Sequence, residues 1–122
     1  MDIYKEIILD RYKNPKHFGK LKRFTVSITV DNPLCGDKIT VYLVVNNGRI
    51  ETAKFKGSGC IISLSSADIL LDDIIGKQIS EVLSYNKDNV LSLLGIELGV
   101  NRLKCALLPL EAVHKAINKL EI

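Results

Sequence analysis

The chain has 122 residues, 47% hydrophobic and 25% charged. That is enough for one domain with a real core and too apolar for intrinsic disorder, and no apolar run approaches the ~18 residues of a membrane span. Seventeen basic against fourteen acidic side chains leave a formal net charge of +3, with three Phe, four Tyr and no Trp, too weak a field with too few aromatics to point to nucleic acid.

Residues 2–13 have the spacing of an amphipathic helix, with Asp2 as a cap, Ile3, Tyr4, Ile7, Ile8 and Tyr12 recurring at helical intervals, and Pro15 as a stop. Asp2, Lys5, Glu6, Asp10 and Arg11 break its apolar character, which excludes a secretory signal peptide and leads to the expectation of a cytoplasmic protein. Residues 1–23 carry seven basic side chains and three acids, either a solvated surface or a docking patch for an acidic partner. Phe24, Val26, Ile28 and Val30 then alternate with Thr and Ser as a half-buried strand, which Asn32-Pro33 ends. A second strand follows over Ile39–Val45, and Asn47-Gly48 signals a type I′ hairpin into a third over Arg49–Lys56. The alternation slips between Ile50 and Ala53, which predicts a bulge. Gly57-Ser58-Gly59 reads as a breaker. After Cys60, Ile61, Leu64, Ala67, Leu71 and Ile74 restore helical spacing up to Gly76. Two short helices are predicted over 79–84 and 88–94, the second capped by Asp88. A last amphipathic helix carries Leu103, Ala106, Leu110, Val113 and Ile117; Pro109 either starts it or kinks it. The class is α+β: a three-stranded antiparallel sheet packed against helices, in a single domain over residues 1–122.

The three cysteines, Cys35, Cys60 and Cys105, are odd in number and contain no CxxC pair, so neither a disulfide framework nor a zinc ribbon fits. Each lies at a predicted junction between elements, where chemistry is usually placed. Gly36 and Gly59 each adjoin a thiol and allow positive φ and close approach. The dipole and unpaired N–H groups of a helix start favour a thiolate at Cys60 and Cys105. Asp37 follows Cys35 by two, so in extended backbone both point to one side. Three loops at one end of a small domain can converge. Three thiolates and a carboxylate then suit zinc or an iron–sulfur cluster, the carboxylate being the weak ligand of a cluster that has to leave. His114, nine residues after Cys105, is too far along a helix to share in ligation and reads as a helix-surface residue. His17 reads as a solvent or partner contact. Ser58, Ser63, Ser65 and Ser66 read as caps and small packing residues.

Asn32-Pro33-Leu34-Cys35-Gly36-Asp37, Gly57-Ser58-Gly59-Cys60-Ile61-Ile62-Ser63 and Arg102-Leu103-Lys104-Cys105-Ala106 resemble the three cysteine motifs of the iron–sulfur cluster assembly scaffold family, the IscU/SufU/NifU N-terminal type. Tyr4–Gly19 (YKEIILDRYKNPKHFG) and Ile75-Gly76-Lys77 are also similar to family segments, so the resemblance covers nearly the whole chain. It implies an IscU-like fold and a scaffold, not a turnover enzyme. A cysteine desulfurase would supply persulfide sulfur, a [2Fe–2S] cluster would assemble, and apo iron–sulfur acceptor proteins would receive it. Cys35, Asp37, Cys60 and Cys105 would be the ligands, with Asp37 keeping the cluster labile. Cys105 would take persulfide first, with Cys35 the second candidate, and the basic N-terminal region and cysteine loops would face the desulfurase. The alternative is a zinc-dependent, SufU-like sulfur carrier using the same residues. Lys104 stands where many members carry His. An ammonium cannot donate to a metal, so its role would be to raise thiolate character at Cys105 or merely to be solvated. The 44 residues between Cys60 and Cys105 leave no room for the SufU-type insertion, so an IscU-like length meets a SufU-like ligand set. The family's chaperone-binding motif has no match at Leu98–Arg102, which puts dependence on a dedicated chaperone in doubt.

Overall fold

In chain order the computed structural model, which describes residues 3–33 and 36–120, runs α1 (Ile3–Lys13), β1 (Val26–Asn32), β2 (Asp37–Asn46), β3 (Arg49–Ser58), α2 (Ile61–Ile74), α3 (Ile79–Leu83), α4 (Lys87–Leu94) and α5 (Val100–Leu120). The strands form one antiparallel sheet in the order β1-β2-β3. Alternation decides its faces. Ile39, Val41 and Leu43 of β2, with Val26, Val30, Ala53 and Phe55, point into the core under α2 and α5. None of the described helices is long and apolar enough to cross a membrane.

The β2–β3 turn has Asn47 at φ 55° and Gly48 at φ 75°, the two left-handed positions that a type I′ turn requires. The predicted bulge is at Glu51: Val44 pairs with Thr52 and Val45 with Ile50, leaving Glu51 unmatched. Gly57-Ser58, expected to break the chain, instead continues β3. Gly57 sits at φ 155°, and a Cβ there would lie 2.0 Å from the Lys38 carbonyl oxygen. Only glycine lets the two strands stay paired that far, and the pairing carries β3 up to the start of α2.

Three helical expectations are corrected. Asn86, not Asp88, caps α4: its Oδ1 accepts the amides of Asp88 (2.9 Å) and Asn89 (3.3 Å), while Asn89 Oδ1 accepts the Asn86 amide (2.8 Å). α5 begins at Val100, so of the two positions expected for Pro109 the interior one is found, and it is Cys105, expected at the helix entry, that is displaced. Cys105 therefore lies in the second turn of α5, beyond the unpaired N–H groups of its start. Pro109 has no amide to offer the Cys105 carbonyl. The next carbonyl, of Ala106, accepts a buried hydrogen bond from Ser66 Oγ (2.7 Å), which ties α5 to α2. The apolar stripe of α1 is also not the core face expected. Only Ile8 is buried, while Ile3, Tyr4, Ile7 and Tyr12 are exposed; Asp2 lies outside the described residues.

A polar clasp holds α1 in place. Asp68, fully buried on α2, accepts from the Arg11 guanidinium through Oδ2 and from the His17 amide through Oδ1 (2.7 Å). Asp72, one turn on, takes Arg11 Nη2 (3.1 Å) and the His17 ring (2.9 Å). His17 is thus a structural clasp residue. On either side of Phe18, the His17 carbonyl accepts the Phe55 amide (2.9 Å) and the Gly19 amide donates to the Phe55 carbonyl (2.7 Å) on the β3 edge.

Breaking a buried ion pair by removing one partner is costly. Asp68→Ala is expected to destabilise the fold by about 3 kcal/mol, read as a lower urea midpoint at unchanged slope. The Asp72 carboxyl is held below its usual range by the hydrogen bond from His17 and by Arg11. Its share of stability is therefore present above the ordinary carboxylate range and lost as acid protonates it. Asp72→Asn should flatten the acid limb of the stability–pH curve.

Candidate metal centre

Asp37 opens β2, and Cys60 is the N-cap of α2, two residues past the end of β3. Register brings them together: Lys38 pairs with Ser58, so the starts of β2 and α2 share one end of the sheet. The Asp37 carboxylate is 2% exposed. Its Oδ1 accepts the Cys60 amide (3.1 Å), and its Oδ2 lies 3.7 Å from Cys60 Sγ. Cys60 Sγ in turn accepts the Ser63 amide (3.4 Å), the ordinary work of an N-cap side chain, with Ser63 Oγ at 3.7 Å.

Gly59 makes the approach possible. A Cβ at this position would stand 2.5 Å from Ser63 Oγ and 2.8 Å from Asp37 Oδ1, inside any real contact distance. Gly36 sits at φ 73°, and its amide bonds the Asn32 carbonyl (2.8 Å) to close the β1–β2 turn. Cys105 comes from α5 and is buried, whereas Cys60 is exposed. One ligand atom each from Asp37, Cys60 and Cys105 lies within 4.8 Å of the other two. Donors bound to one zinc ion at ~2.0–2.3 Å stand roughly 4 Å apart or less, so a small contraction around an ion closes this set. Cys35, the fourth residue expected at the site, lies outside the described residues.

Cys60 and Cys105 open onto a cavity of about 720 Å³. Ile8, Leu9 and Tyr12 of α1 and Ile61, Ile62 and Ile96 wall it, and Lys5 and Arg102 also line it. Lys104 is exposed on α5 and lines a different groove, with Asp31, Pro33 and Glu111. His114 is half-buried and hydrogen-bonded to the Val82 carbonyl (3.0 Å), a packing role and not the surface position expected. The spacing of Asp68 on a helix that is buried nearly all round gave no sign that its carboxylate would anchor α1. The one available signal was an acid among Ala67, Ile69, Leu70 and Leu71, where a buried charge requires a partner.

Residues 3–122 match the NifU-like N terminal domain. The chain belongs to that family. It is 35% identical to the zinc-dependent sulfurtransferase SufU of Bacillus subtilis, covering 98% of this chain and 92% of that one. It is 36% identical to the iron–sulfur cluster assembly scaffold protein IscU of Thermotoga maritima, covering 97% and 94%. Both alignments run over more positions than the 122 residues here, so both relatives carry residues that this chain lacks. Among solved structures, a putative SUF-system iron–sulfur cluster assembly scaffold protein from Fervidobacterium islandicum superposes with a TM-score of 0.80 at 27% identity, covering 94% of this chain and 96% of that one. The α+β architecture expected from the sequence is thus the one observed, and the family is the one that the cysteine motifs resemble.

Gly59→Ala is expected to push the Asp37 carboxylate away from Cys60 and weaken metal binding by about 10–100-fold. Titration with cobalt(II), followed by its thiolate charge-transfer absorption, measures this, with the thermal midpoint as the control for folding.

Proposed function

We propose that this protein is a scaffold on which iron and sulfide are gathered into a labile [2Fe–2S] cluster and from which the cluster passes to apo-proteins. Cys35, Asp37, Cys60 and Cys105 are the ligands in this reading. The observation that carries it is the buried Asp37 carboxylate set against two sulfurs that come from separate elements. A carboxylate in an otherwise thiolate set is a hard ligand among soft ones, so it is the bond that yields first when the cluster leaves. The family supports an exchange with a sulfur donor and with acceptors; the specific partners proposed are a cysteine desulfurase and apo iron–sulfur proteins, in a cytoplasmic setting.

Sulfur arrives as a persulfide. The thiolate of Cys105 attacks the outer sulfur of the donor's Cys–S–S⁻, a new S–S bond forms, and the donor's own S–S bond breaks to leave its thiolate. No net oxidation occurs in this exchange. Reduction of the transferred sulfur to sulfide takes two electrons from an external reductant. Cys105 lies inside the cavity, so the donor's sulfur has to enter between α1 and α5 to reach it. Cys35 is the second candidate acceptor.

A second reading is favoured by one observation. The compact set of Asp37, Cys60 and Cys105 suits a single ion, and Lys104 supplies no donor. Zinc held by Cys35, Asp37, Cys60 and Cys105 would lower the proton affinity of its thiolates and fix their positions. The protein would then be a sulfur carrier, like the SufU relative by name.

Anaerobic incubation with a desulfurase, cysteine and ferrous iron separates the two. The scaffold reading expects a visible iron–sulfur chromophore that persists several-fold longer in Asp37→Ala than in the parent. Stoichiometric zinc after purification, with desulfurase stimulation and no chromophore, supports the carrier reading and overturns the first. Cys105→Ser is expected to lose the added sulfur atom seen by intact-protein mass spectrometry after a single donor turnover.

A further inference from the structure

The side of the sheet turned away from α2 and α5 is not bare. Tyr42 points to it, by alternation with Val41 and Leu43, and yet is only 4% exposed. Its register neighbours there, Ser27 and Lys54, are too small or too polar to cover it. The cover comes from the segment between α1 and β1. Gly19 is hydrogen-bonded to Phe55 on the β3 edge, and Thr25 to Leu43 beside β1. The chain between them must therefore cross the sheet. Phe24 stacks edge-to-face on Tyr42 with ring centroids 5.3 Å apart, so it crosses on the helix-free side.

That crossing concentrates charge. Lys20, Lys22 and Arg23 travel on the crossing segment. The register places Lys54 beside Tyr42, Lys56 beside Thr40, and Lys38 one row further on. Among the described residues, no ion pair joins any of these six cations to an acid. Asp31, opposite Lys38, is the one acid in the paired rows of this face. Ser27, Thr29 and Thr40 lie between the cations, with the two threonine hydroxyls bonded to each other (2.7 Å); Ser58, Val44 and Thr52 share the face, and Glu51, in the bulge, accepts from Asn46 at its hairpin end (3.4 Å). The modest net charge of the whole chain hides this asymmetry, because the acids lie elsewhere: Asp68, Asp72 and Asp73 on α2 engage Arg11, His17 and Lys77.

We propose that this basic sheet face is a docking surface for a protein partner presenting a carboxylate-rich patch. It is separate from the cavity that leads to Cys60 and Cys105 and shares no lining residue with it. Cations outside any ion pair, five of the six exposed and Lys54 half-buried, on a hydrogen-bonding face steer an acidic partner and set its orientation. A nucleic acid is the poorer fit. Among the described residues the face has no protruding element for a groove, and Phe24, exposed but already stacked on Tyr42, is its one exposed ring, too few for base stacking. A membrane is poorer still, since among the described residues Phe24 is also the one large exposed apolar side chain of this face. At Lys38 the face adjoins Asp37, so a partner bound here sits beside the metal centre without closing the cavity.

The test uses the full chain and three probes: a glutamate-rich peptide, a duplex DNA of matched charge, and vesicles containing phosphatidylserine. Affinity is measured for each at low and at physiological salt, with amide shifts mapped by NMR. Two charge-reversed variants are compared. Lys54→Glu/Lys56→Glu alters the face, and Lys115→Glu/Lys119→Glu makes the same net change on α5, away from it. The proposal expects peptide-induced shifts confined to residues 20–29, 38–42 and 52–58. It also expects an affinity loss of about tenfold or more in the first variant and less than twofold in the second, with weaker binding of the other two probes. Equal losses in the two variants would show a response to net charge alone and overturn it. Tighter binding of the duplex or the vesicles through the same residues would overturn it too. Cobalt binding at the metal centre should be unchanged in both variants, so failure of this proposal is distinguishable from failure of the metal-site reading.

Discussion

The arrangement turns on one contact, the buried carboxylate of Asp37 against the first amide of α2. A carboxylate this deep in the protein is tolerated only if its oxygens are bonded. A helix start has amide groups with no partner of their own. Each supplies what the other lacks, through the Cys60 amide. The same contact fixes the end of β2 to the end of β3 and aligns α2 with the sheet. The stabilising polar link therefore joins two of the three residues that supply the candidate ligands. Gly59 is the condition for it, since any side chain there would occupy the space that the carboxylate fills.

Much of this was legible in the sequence, because it depends on local rules. Strand alternation, the Asn47-Gly48 turn and the slip at Ile50–Ala53 each have a short-range physical cause, and each is found where expected. The sequence set the Asp37 carboxylate beside Cys35, which lies outside the described residues; its contact with Cys60 depends on the β2–β3 register. What was not legible depends on tertiary context. The apolar face from Leu103 onward allowed a helix on both sides of Pro109 but did not decide between a start there and a passage through it. There, packing of the buried Cys105–Leu108 turn against α2, with Ser66 bonded to the Ala106 carbonyl, holds a helix through a proline. Likewise α1 shows a helical apolar stripe but buries only Ile8, because its attachment is the Arg11–Asp68 ion pair and not the stripe. Gly57-Ser58-Gly59 read as a break because glycine is weak in strands, whereas the neighbouring strand required it.

The exposed stripe and the clasp belong together. Leu9 and Tyr12 of α1 form one wall of the cavity over Cys60 and Cys105, so the position of α1 sets how wide the route to the sulfurs is. A helix held by ion pairs and hydrogen bonds at its C-terminal end, with little apolar burial along it, is easier to displace than one seated in the core. The clasp residues Arg11, His17, Asp68 and Asp72 hold the helix that forms this wall without lining the cavity themselves, and α2, capped by Cys60, carries the clasp's two acids.

The two chemical readings of the site differ less in charge than in shape. Three thiolates and a carboxylate carry the same total charge whichever guest they hold, and an oxidised two-iron, two-sulfide core has the same net charge as a zinc ion. Lys5 and Arg102, which line the cavity, offset the excess negative charge equally in either case. Electrostatics therefore does not choose between them, and spacing does. One ion draws all its donors to a single centre, while a two-iron core divides them into pairs on opposite sides. Asp37, Cys60 and Cys105 already stand as a group of three. For a two-iron guest the pairs must separate, whereas the buried Asp37 carboxylate is held in place by the Cys60 amide. The residue that anchors α2 to the sheet is thus also one of the three candidate ligands that the fold brings together.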